Sequence, residues 1–76
     1  MNKTRRKRLE SLSERIEELK DELESILEEE DEYKENMPEN LMGSERYERA
    51  EECVGQLEES VENLETAMSM IEEATS

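Results

Sequence analysis

Apolar residues recur through the first half of this chain at Leu9, Leu12, Ile16, Leu19, Leu23 and Ile26, in alternating steps of three and four. This is the a/d spacing of a heptad, which keeps one stripe of an α-helix turned toward a neighbouring helix. Leu27 widens the stripe near its end, Glu30 breaks it at the next a position, and Tyr33 resumes it at d. A second series starts at Tyr47 and runs through Ala50, Val54, Leu57, Val61, Leu64, Met68 and Ile71 to Thr75 with the same alternation. The two seams decide what composition leaves open. Hydrophobic residues are 32% of the chain against 45% charged, with a formal net charge of −14. Disordered acidic segments and Glu-rich coiled coils share such figures. A disordered segment has no reason to hold a heptad register, so an ordered all-α coiled coil is the expectation.

The two helices are not copies. The second repeats as CVGQLEE, SVENLET and AMSMIEE, so small residues (Cys53, Ser60, Ala67, Ala74) occupy its g positions. A small-residue column lets another helix approach closely, and it points to the second helix as the one that meets further neighbours. The first repeats as RLESLSE, RIEELKD and ELESILE, with large charged residues at the equivalent place. Residues 36–44 separate them. Pro38 disfavours helix at Met37 and suits a first helical turn, Gly43 can take a left-handed conformation, and Ser44 is a natural N-cap. The reading is therefore a basic arm over residues 1–8 continuing into helix 1 (9–35), a structured linker (36–44) with a short helical turn near 38–42, and helix 2 (45–75). So short a linker returns the chain antiparallel, giving a two-helix coiled-coil hairpin.

A chain of 76 residues has much surface for its volume and usually needs disulfides, metal or oligomerisation for stability. Cys53 is the single cysteine and there is no histidine, which excludes an internal disulfide and disfavours a zinc site. Oligomerisation remains. Two hairpins packed as a four-helix bundle would cover both stripes, so a homodimer is expected, with the seam residues forming core and interface.

Little else in the sequence carries chemistry. Without histidine there is no ordinary general base near neutral pH, and no phosphate loop or nucleophile elbow is present. No catalytic residue and no cofactor are expected. Acidic neighbours Glu51 and Glu52 blunt the reactivity of Cys53. The run Glu28–Glu32 lacks the spacing and glycine of an EF-hand and reads better as a solvated helix end. No stretch approaches the ~20 apolar residues of a membrane span, and the basic start is not followed by an apolar signal core. With a lone cysteine, this favours a cytoplasmic setting.

Three surfaces could meet a partner. Residues 9–76 hold all 24 acids and only five of the ten bases. Carboxylates along a rod, such as Glu58, Glu59, Glu62 and Glu65, could imitate duplex phosphates and block a basic site on a host protein. The ordinary account is that outward positions of any soluble coiled coil are charged. The arm Lys3, Arg5, Arg6, Lys7 and Arg8 could touch nucleic acid, but pairing with Glu72 and Glu73 at the other end of the hairpin, or with a partner, is the stronger expectation. Met37, Leu41 and Met42 in the linker could form an adaptable patch or, more naturally, a cap over the bundle end.

The segments Asp31-Glu32-Tyr33, Asn36-Met37-Pro38-Glu39-Asn40-Leu41, Gly43-Ser44 and Tyr47-Glu48 resemble a linker pattern in small acidic helical-hairpin proteins of Firmicutes and their phages or mobile elements. In that group N-x-P-E-N-L-x-G-S-x-x-Y precedes Leu/Glu heptads. Met42 departs from the polar residue usual at its position. The resemblance implies a bacterial or phage setting and no catalytic residues.

Overall fold

A computed structural model describes all of residues 1–76. It is an all-helical hairpin: α1 (Lys3–Glu35), a single 3-10 turn (Glu39–Leu41) and α2 (Glu45–Thr75), with no strand. Each helix begins at a side-chain cap. Asn2 Oδ1 accepts from Arg5 N at 2.8 Å, and Ser44 Oγ accepts from Tyr47 N at 3.3 Å. Both satisfy a backbone donor that the first helical turn leaves free. The basic arm is thus part of α1 from Lys3 onward.

The linker spends its backbone groups on itself. Asn36 N donates to Glu32 O to close α1, Leu41 N to Pro38 O and Met42 N to Glu39 O make the 3-10 turn, and Ser44 N donates to Leu41 O. Gly43 has φ +89°, in the left-handed region that costs other residues about 1–2 kcal/mol. Gly55 sits inside α2 with open space where a Cβ would go. Opposite responses are therefore expected from one kind of substitution. Gly43→Ala should lower the melting temperature, and Gly55→Ala should raise it by several degrees, about 1 kcal/mol of helix propensity in a domain this size. Thermal melts of the two variants against the parent check both signs.

The core is thin. Only Met37, Ala50, Val54 and Val61 are buried, four of 76 residues. On α2 the inward face is the one expected from its seam: Ala50, Val54 and Val61 are buried, while Tyr47, Leu57, Leu64, Met68 and Ile71 are half-buried. On α1 the seam is displaced. Leu9, Ile16 and Leu23 are half-buried as the a/d reading requires, but their companions are Ser13, Lys20, Leu27 and Lys34. Leu12, Leu19 and Ile26, expected at d in the same seam, stand 40%, 59% and 49% exposed, and Tyr33 follows at 49%. The helix has turned about its axis by roughly 50°, half of the ~100° step between successive residues, so that a and e face α2 instead of a and d. The physical reason lies at e. Leu27 is apolar, Ser13 is small, and Lys20 and Lys34 can lay their stems along the seam while their ammonium groups reach carboxylates.

Candidate functional site

The rotation of α1 gives the hairpin two unlike sides. Lys20 marks the first. Its Nζ lies 3.4 Å from Glu24 Oε1 and 3.9 Å from Glu65 Oε1 across the seam. Partial burial alone would lower the Lys20 pKa, but Glu24, Glu65 and Asp21 outweigh it and hold the group above the ordinary lysine value. It therefore stays charged across the neutral range. Lys34 behaves alike at the other end of α1: burial opposes, and Asp31, Tyr47 and Glu35 prevail. On this side a shallow groove runs between the helices, lined by Glu24, Leu27, Glu28, Glu58, Val61, Glu62 and Glu65. So Glu58, Glu62 and Glu65 come together, whereas Glu59 lies outside the groove. No group of three or more Asp, Glu or Cys side chains is placed to share a metal ion.

The second side is apolar. Leu12, Leu19, Ile26 and Tyr33 sit on the edge of α1's buried face opposite Lys20, and Cys53, Ser60 and Ala67 sit on the edge of α2's buried face opposite Glu58 and Glu65. Both edges fall on the same side of the hairpin. The three small residues are half-buried and the four large ones exposed, so a broad, shallow apolar strip faces solvent. Cys53 is a free thiol within it.

The basic arm makes no ion pair, and its one side-chain hydrogen bond stays within the arm, Arg6 Nη2 donating to Met1 O at 3.5 Å. The Lys20–Glu65 pair marks the register of the hairpin, and counting eleven residues back along α1 and eleven on along α2 brings Leu9 level with Ser76. Residues 3–8 therefore project past the end of α2. None of Lys3, Arg5, Arg6, Lys7 and Arg8 makes an ion pair, and all five pairs in the molecule belong to Lys20, Lys34 and Arg49. The expected pairing of the arm with Glu72 and Glu73 is not made, because the overhang carries the arm beyond them.

The linker residues divide. Met37 is tucked in at 7% exposure, Leu41 is half-buried and Met42 is 50% exposed. Met37 acts as the cap over the hairpin end and is not open to a partner, which leaves Met42 as the outward residue of the three.

No helix is long and apolar enough to cross a membrane. No family model matches this chain, and neither a curated protein nor a solved structure matches it.

Proposed function

We propose that this chain is a non-catalytic protein–protein interaction module that assembles with itself, as a dimer of hairpins forming a four-helix bundle. Surface area is the observation that carries the reading. A compact monomer of 9.0 kDa exposes roughly 4,900 Å² by the usual scaling of surface with mass, whereas this chain exposes 6005 Å². The difference, about 1,100 Å², exceeds the ~800 Å² that one partner gives to a protein interface of standard size. Shape agrees with area. The molecule measures 59 × 15 × 13 Å and has a radius of gyration of 17.3 Å, against roughly 11 Å for a compact domain of this length.

The apolar strip supplies the place where that surface can be covered. Four large side chains exposed in a row are uncommon on a monomer, where hydrophobic residues are usually scattered singly. The carboxylates of the other side keep the assembly soluble and confine association to one side. Sedimentation equilibrium of the intact chain across micromolar concentrations is expected to show a monomer–dimer equilibrium. A folded species that stays monomeric at every concentration overturns the reading.

A further inference from the structure

We propose that two copies dock through the exposed stripe of α1 in antiparallel orientation, Leu12 and Leu19 of one meeting Tyr33 and Ile26 of the other. This rests on the self-assembly reading and gives it a face and a direction. The stripe has a residue every seven positions from Leu12 to Tyr33 and covers roughly 31 Å of helix. Successive members drift by only ~20° about the axis, so the row is nearly straight.

Charge selects the occupant. Beside the stripe, on the flank away from α2, run Arg8, Arg15, Glu22 and Glu29, all exposed and none in an ion pair. The flank is positive in its first half and negative in its second. That order opposes the helix's own dipole, which favours acids at the start and bases at the end. Nothing in the hairpin compensates, since the basic arm overhangs α2. A second copy turned end for end does. With the two-fold axis between Leu19 and Ile26, Arg15 comes level with Glu29 and Glu30 of the second copy, and Arg8 comes close to its Glu35. Parallel packing would turn this flank toward the a column of the second copy, which its own α2 covers, and would leave Arg15 and Glu29 without opposite charges. A uniformly acidic or basic helix would match one half of the flank and oppose the other. A copy turned end for end instead gives two Arg15–Glu29 pairs, one on each side of the axis, against a single meeting of Glu22 with Glu22 at the centre. On α2 the small residues Cys53, Ser60 and Ala67 let the second hairpin come close.

A charge-swap series read by sedimentation at low salt tests the orientation. Arg15→Glu alone and Glu29→Arg alone should each weaken the dimer roughly tenfold, and R15E/E29R together should return it to within about threefold of the parent. Insensitivity to the single changes, or a double variant as weak as the weaker single, overturns the antiparallel face while leaving self-assembly standing. A parent that is monomeric throughout overturns both. Disulfide trapping supplies a second readout that does not depend on affinity. In a Cys53→Ser background, an R15C chain mixed with an E29C chain should form the mixed disulfide in preference to either homodisulfide. Dominance of the homodisulfides refutes the orientation.

Discussion

Val61→Asp is expected to abolish the folded hairpin. Val61 lies in the middle of the α2 seam and is one of only four buried residues, so the loss falls on a large share of the core. A carboxylate there has no cation to meet: Glu24, Glu28, Glu58 and Glu65 line the adjoining groove, and Lys20 is already held by two of them. Burying a polar group without a partner costs roughly 2–7 kcal/mol, and an unpaired charge costs more or is protonated. The whole stability of a domain this size is of order 4–11 kcal/mol. Circular dichroism at 25 °C should therefore show the helical signal largely gone at pH 7. Glu62→Gln, one residue along and exposed, should stay within about 0.5 kcal/mol of the parent. A Val61→Asp chain that melts within a few degrees of the parent would mean the seam is not what holds the hairpin.

The contrast between the helices shows what the heptad pattern could and could not convey. In α2 every a and d position is apolar up to Thr75, with glutamate at the flanking e positions, so only one face can turn inward. The sequence and the structure agree there residue for residue. In α1 three columns compete: Leu12, Leu19 and Ile26 at d, Leu9, Ile16 and Leu23 at a, and Leu27 with Ser13 and Lys20 at e. A reading weighted by apolarity picks a and d. The folded chain picks a and e, where the stem of Lys20 covers the seam and its ammonium group reaches Glu65 of α2. Leu27 was the visible sign that a third column existed. The linker was legible for a different reason. Pro38, Gly43 and Ser44 act locally, through a fixed φ, a left-handed φ and a cap, and local chemistry survives whatever the helices do. The fate of the basic arm was not legible, since it depends on the register at which the two helices pack, which no single residue announces. One rotation and one overhang thus produce the surface features on which a function can rest.

Joint replacement of Leu19 and Ile26 by glutamate should separate assembly from folding. Both side chains point away from α2, at 59% and 49% exposure, so neither change removes a contact that the hairpin needs. Glutamate is also a good helix former, which keeps α1 intact. In the proposed dimer the two positions oppose each other at the centre, and the variant would gather four carboxylates around the two-fold axis. Covering the remaining exposed half of a Leu or Ile side chain contributes about 1 kcal/mol. Four such sites lost across the dimer amount to roughly 4 kcal/mol before repulsion is added, a Kd increase of about a thousandfold or more. The variant should sediment as a monomer at concentrations where the parent is dimeric. Its melting temperature should no longer depend on concentration, whereas that of the parent should rise with it, since association stabilises only the folded chain. The helical signal at low temperature should remain. A variant that still dimerises with affinity close to the parent's would show that the stripe is not the interface. A variant that loses its helices at every temperature would show that the exposed row, and not the thin core around Val54 and Val61, is what keeps α1 folded.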